Sequence, residues 1–184
     1  MLPMSRRTAE YLITSLDDVK TELIGGNERS WSDSPYLWIR NMQSGRKGKA
    51  GEKIIEKWLR LEGLEVKQSI NGESDRTIEG REIEIKTSTL WERGVLVFQQ
   101  MRDQDYEYVL FLGVLPEKLL LWSVPKDVAL EHSEPQHSGK GGNDTKWLIV
   151  DAYNTPEWLK PYGGSFSTGL SVIKKQLNNC IKKV

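Results

Sequence analysis

Cysteine is almost missing: the 184-residue chain has one, Cys180. A single thiol excludes an intramolecular disulfide. With only two histidines, His132 and His137, the ligand set for a structural zinc site is missing as well. No apolar run is long enough to span a bilayer, and Met1 to Arg7 is not followed by the apolar core of a signal peptide. The chain therefore reads as soluble and cytoplasmic, with no membrane partner. An excess of charge is also lacking, because 26 Lys+Arg balance 26 Asp+Glu. A nucleic-acid partner would have to be held by local basic patches, not by a bulk field. There is no internal repeat and no low-complexity segment. The length suits one sizeable core and is short for two, so one domain is expected over residues 1–184. Tryptophan is plentiful at seven residues, most of them expected in the core and some free to line a cleft.

Periodicity supplies the elements. Ser5 to Ile24 reads as a helix stopped by Gly25-Gly26, followed by a polar loop, Asn27 to Ser34, carrying Trp31. Pro35 to Met42 reads as a short helix, and Ser44 to Lys49 as a basic, flexible loop. Lys49 to Glu62 is the strongest helical pattern, with Ile54, Ile55, Trp58 and Leu59 on one face and Gly63 at its stop. Leu64 to Lys67, Asp75 to Ile78 and Arg81 to Lys86 read as strands, and Val95 to Phe98 is an apolar stretch. Tyr108 to Val114 and Lys118 to Val124 read as adjacent buried strands. A short helix follows from Pro125 to about Glu131, then a Gly-rich loop from Ser133 to Thr145. A strand at Trp147 to Val150, a helical turn near Thr155 to Leu159 and a last helix at Ser167 to Lys182 complete the chain. The alternation predicts an α/β or α+β class built on a mixed sheet flanked by helices.

The chemistry gathers in one hairpin. Successive strand residues face opposite ways, so Ile83 and Ile85 share one face of Arg81 to Lys86, and Glu82, Glu84 and Lys86 share the other. Glu79-Gly80 fits a two-residue turn with Gly supplying positive φ. That turn pairs Ile78 with Arg81, Thr77 with Glu82 and Arg76 with Ile83, and sets Asp75 opposite Glu84. Opposed residues have Cβ atoms roughly 4.5–5.5 Å apart, so two carboxylates there repel unless a cation lies between them. All-oxygen ligation favours a hard ion such as Mg²⁺. Lys86, on the same face, could orient a water or stabilise charge on a phosphate. Alternating charge on a strand is also a common solubility device; the register is what brings these two acids together. On the preceding helix, Glu52 borders the apolar face and can reach a cleft. Glu56 lies further into the polar face and is the alternative acid.

A helix acid, then Asp, then Glu-x-Lys on a hairpin resembles the PD-(D/E)xK nuclease superfamily, the restriction-endonuclease-like fold. "KGKAGEKIIEKWLRLEGLEV" is similar to its first helix and strand. "SDRTIEGREIEIKTS" is similar to its catalytic hairpin, closest to the mismatch-repair type; Ser74 stands where many members have Pro. The resemblance covers about Lys47 to Val124. It implies Asp75, Glu84, Lys86 and Glu52 as catalytic residues, with Asp75, Glu84 and Glu52 as metal ligands. It further implies Mg²⁺ as cofactor, double-stranded DNA as substrate, and a site-specific type II restriction endonuclease, expected as a homodimer. Alternatives are a repair or Holliday-junction nuclease on the same core, or a non-catalytic DNA-binding subunit that keeps the fold. The flanking segments would then serve DNA recognition or dimerisation.

Further candidates surround this core. Gln99, Gln100 and Arg102 can contact bases or phosphates, although a polar connector before a buried strand would look the same. Gln136 to Trp147 lacks the spacing of a phosphate-binding P-loop, but its length and Lys140 suit a DNA contact. Arg46, Lys47 and Lys49 form the basic patch nearest the helix acid. Lys174-Lys175 and Lys182-Lys183 read as solvated faces. His132 and His137 have no acid partner or nucleophile elbow for a hydrolytic triad.

Overall fold

The computed structural model describes residues 31–135 and 145–181. The helix predicted at Ser5 to Ile24, Lys140 with residues 136–144, and Lys182-Lys183 lie outside the described residues. Helix α1 is Leu37–Arg40 and α2 is Ser44–Leu61. Strands β1 (Val66–Gln68), β2 (Arg76–Ile78), β3 (Arg81–Thr89), β4 (Val95–Met101), β5 (Tyr108–Val114) and β6 (Leu119–Pro125) follow. Then come α3 (Lys126–Glu131), β7 (Glu134–Pro135), β8 (Lys146–Asp151) and α4 (Phe166–Ile181). The fold is mixed α+β, as expected.

The main sheet has the order β1-β2-β3-β5-β6, and a second sheet has the order β4-β8-β7. All pairings are antiparallel except β3 with β5. The hairpin register is the one its turn dictates: Ile78↔Arg81, Thr77↔Glu82 and Arg76↔Ile83, with Glu79 at φ 48° and Gly80 at φ 80°. Two consecutive positive φ values define the tight turn whose twist matches its strands.

Helices cover one face of the main sheet and the second sheet covers the other. Helix α2 lies so close to β3 that a Cβ on Gly51 would stand 1.8 Å from Thr87 Oγ1. Helix α4 packs on β6, where Gln176 bonds both the side chain and the carbonyl of Ser123. On the far face, Phe98 of β4 meets Phe111 of β5 at 4.7 Å between ring centroids. The Leu96 side chain occupies the space above Gly113. Ile55, Leu59, Leu110, Leu112, Leu121 and Val124 fill the core between.

Two readings are corrected. Ser44 to Lys49 is not a loop but the first turns of α2. Its glycines lower helix propensity, and packing against β3 overrides that preference. Trp31, placed in a polar loop, is instead helical at its own position and 1% exposed, with the Arg40 guanidinium 5.1 Å from its ring.

Candidate active site

Among the described residues, no strand pairs with one edge of β3 beyond Ile83. Pairing with β2 stops at Arg76↔Ile83, while β5 accompanies β3 on its other side to Thr89. A cleft of about 440 Å³ runs along this edge. Ser44, Gly45, Lys47, Gly48 and Glu52 of α2 form one wall. Asp75 and Glu84 to Thr89 form the floor, and Trp91, Val97, Gln99 and Gln100 form the opposite wall. The glycines recur on the α2 face that looks into the cleft and leave it open.

Asp75 stands one residue beyond the end of the β2 ladder. Its N–H donates to the Ile83 carbonyl at 3.1 Å. Its Oδ2 accepts from the Ile85 N–H at 2.9 Å, so the side chain takes the place of a missing strand carbonyl and is aimed along the bare edge. Glu84 stands opposite Asp75 across the hairpin, near enough for the two carboxyls to interact, and Lys86 Nζ lies 2.7 Å from Glu84 Oε1. Burial raises the Asp75 carboxyl above the ordinary range; the Ile85 N–H opposes this and Glu52 adds to it. Burial raises Glu84 too; Lys86 opposes the shift and Asp75 reinforces it. Two repelling carboxyls and one ammonium therefore share a partly dry floor. Tyr106, pushed up by burial and then by Glu84, stays a neutral phenol, with its hydroxyl donating to the Arg102 carbonyl at 2.6 Å.

Arg76, which sequence reasoning did not single out, organises the α2 side. It is 5% exposed. Its Nη1 lies 3.1 Å from Glu52 Oε2 and donates to the Asp75 carbonyl at 2.6 Å. Its Nε donates to Glu56 Oε2 at 3.0 Å. One guanidinium thus ties both helix acids to the backbone of Asp75. Both helix acids are bound by Arg76; Glu52 lines the cleft, whereas Glu56 stands outside the lining and is held by Arg60 as well. Lys49 Nζ reaches Glu52 Oε2 at 2.8 Å. The signal for Arg76 was its alternation: it shares a face with Ile78, where a lone Arg needs an acid from the covering helix.

Below the hairpin, Glu82 is a knot. Burial raises its carboxyl, but donors from Ser74, Thr77, Ser69 and the Ile70 N–H outweigh this and hold it below the ordinary range. The segment before Asp75 is thereby fixed to the strand that carries Glu84.

The remaining candidates divide by position. Lys47, Gln99 and Gln100 line the cleft. Burial, then Arg40, lowers the Lys47 ammonium. Arg46 is exposed on α2 beside it, and exposed Arg102 follows β4 outside the lining. Trp91, at 46% exposure, was not foreseen and stands in the wall.

No three His, Cys, Asp or Glu side chains among the described residues form an enclosing metal cage. The donor set still fits a hard cation. Asp75 and Glu84 offer oxygen only, their mutual repulsion would be relieved by positive charge, and the cleft leaves room for water. Mg²⁺ is commonly held by one or two carboxylates and keeps several waters. No described helix is long and apolar enough to cross a membrane.

No family profile and no curated protein sequence matches the chain. Among solved structures it is similar to that of a bacterial homing endonuclease, I-Ssp6803I. The identity is 16% and the TM-score 0.45, over 75% of this chain and 98% of that one.

Proposed function

We propose that the chain is a Mg²⁺-dependent DNA endonuclease of the PD-(D/E)xK type, acting as a homodimeric, site-specific restriction enzyme. The observation that carries this reading is that Asp75 and Glu84, opposed across the hairpin, line one cleft with Lys86 beside them and Glu52 in the facing wall. Such a pair costs stability on its own and has a use when a cation and a phosphate occupy the cleft. Asp75 and Glu84 would hold the ion. Bound there, Mg²⁺ would neutralise phosphate charge and lower the pKa of a water.

The chain's own groups do the rest. Ile85 N–H and Arg76 fix the Asp75 carboxylate and backbone, so it need not reorganise during reaction. Lys86, released from Glu84 as charge is rebalanced, orients the attacking water or meets the charge growing on the phosphate. Glu52, paired with Arg76 and Lys49, is placed to order water in the cleft. Lys47 and Arg46 at the α2 wall offset the repulsion between floor and phosphate. The segments flanking the core supply area for duplex contact and for a second copy.

The test is digestion of methylation-free plasmid with Mg²⁺ and sequencing of the ends. Discrete fragments are expected. Asp75→Ala, Glu84→Ala and Lys86→Ala should each lower the rate by about 10²-fold or more while leaving the fold intact. A variant cutting at the wild-type rate removes that residue from its role, and absence of Mg²⁺-dependent cleavage by the wild type refutes the reading.

A further inference from the structure

Strand β4 is irregular where it meets the cleft. It pairs with β8 as Val97↔Ile149 and Phe98↔Leu148, and next as Met101↔Lys146. From Phe98 to Met101 is three steps (101 − 98) while Leu148 to Lys146 is two (148 − 146), so β4 carries one extra residue. Gln100 absorbs it at φ 56°, a left-handed conformation that glycine adopts freely and a long side chain does not.

The bulge has a directional effect. Leu96 and Phe98 point into the core, and simple alternation would send Gln100 after them. Instead Met101 takes that place, fully buried, and Gln100 is turned outward. Gln99 and Gln100, neighbours in sequence, therefore both line the cleft, which a regular strand cannot arrange. Neither carboxamide makes a hydrogen bond to another described residue. Bulges beside sites commonly re-aim a side chain, and a strained residue at a site calls for a reason.

We propose that this bulge is a base-reading device that presents the two amides to the edges of A·T pairs beside the cut; the inference rests on the nuclease reading above. A carboxamide pairs a donor with an acceptor, the complement of adenine N7 and N6–H₂ in the major groove. A phosphate offers acceptors alone, and cationic Lys47 on the facing wall suits it better.

The experiment is cleavage of a randomised duplex library with Mg²⁺, followed by sequencing of cut ends, for wild type, Gln99→Ala and Gln100→Gly. The wild type should select A·T at one or two positions beside the cut. Each variant should relax one of those positions by about tenfold or more and leave the other selected positions as they were. Gln100→Gly should also melt higher than wild type, because glycine relieves the strain, so lost selection cannot be blamed on a lost fold. Gln99→Ala gives the same readout at a residue whose φ is negative. Wild-type cleavage without A·T selection there, or variant profiles identical to wild type, overturns the inference and spares the nuclease. A rate loss equal on all sequences assigns the amides to phosphate and also overturns it. No wild-type cleavage refutes both readings.

Discussion

Gly51→Ala sets two known effects against each other. In an ordinary helix interior the change stabilises by about 0.8–1.0 kcal/mol through propensity. Here the new Cβ would meet Thr87 Oγ1 at 1.8 Å, Thr87 Cβ at 2.9 Å and Cγ2 at 3.1 Å. Carbon contacts settle near about 3.5 Å, so the shortfall at Oγ1 is about 1.7 Å. Turning Thr87 about χ1 cannot remove the clash, because its Cβ is fixed to the backbone of β3. Overpacking of this kind costs about 1–3 kcal/mol. At the upper end, less the propensity gain, the net loss is about 2 kcal/mol, or about 4–8 °C in Tm for a chain this size. The retreat of α2 would also carry Glu52 away from Asp75, and a displacement of about 1 Å can cost 10²-fold in rate. Gly48→Ala, with nothing within 4 Å of its Cβ, is the control and should be stabilising. Thr87→Ala removes two of the three clashing atoms and gives up no hydrogen bond among the described residues, where Thr87 Oγ1 is buried without a partner. The double variant should therefore recover part of the loss. Thermal melts and denaturant titrations of wild type and the four variants decide the matter. A Gly51→Ala protein as stable as wild type would refute the close approach of α2 and β3.

Metal-free protein should carry a pH-dependent penalty at its floor. The Asp75 and Glu84 carboxyls are raised on folding, so the native state binds protons more tightly than the unfolded chain. The penalty is full above the raised values and fades as pH falls through them to the ordinary carboxylate range. Asp75→Asn should thus be more stable than wild type in EDTA at pH 7, with the gap closing towards pH 4; a gap constant in denaturant titrations across pH would contradict this. Arg76→Met leaves two helix carboxylates without their shared cation and should cost about 3 kcal/mol or more by chemical denaturation, with Arg76→Lys recovering only part; a loss under 1 kcal/mol would count against the network. Lys47→Ala should reduce the slope of log K against log[salt] by about 0.9 in DNA binding without metal, and Arg102→Ala, outside the cleft lining, should leave it nearly unchanged. Equal slopes for all three proteins would remove Lys47 from the phosphate path.

The hairpin was legible because a two-residue turn leaves one register available, and from it the shared face of Asp75, Glu84 and Lys86 followed. The helix acid was legible from its place at the border of an apolar stripe. What could not be read were contacts closed by distant chain. Propensity at Gly45 and Gly48 argues for a loop, and only the sheet beneath makes a helix of them. The parallel partner of β3 lies beyond β4, which leaves for another sheet, and no local pattern states that detour. Arg76 looks like a solvated strand residue until α2 covers it. The bulge at Gln100 depends on the two strands differing in length between fixed pairs, which one strand alone does not reveal.

The cleft joins two separately hydrogen-bonded sheets. The groups that orient Asp75, Glu84 and Glu52 come from β2, β3 and α2, while the amides stand on β4, which answers to β8 for its register. The two sheets meet through side chains: the Val97 N–H donates to Ser88 Oγ at 2.9 Å, and Leu96 and Phe98 pack on Gly113 and Phe111. Substitutions at half-buried Gln99 and exposed Gln100 can therefore be tried while the groups that fix the floor stay as they are. On the proposed nuclease reading, a lineage can change what the outer sheet reads and inherit the floor of the inner sheet unaltered.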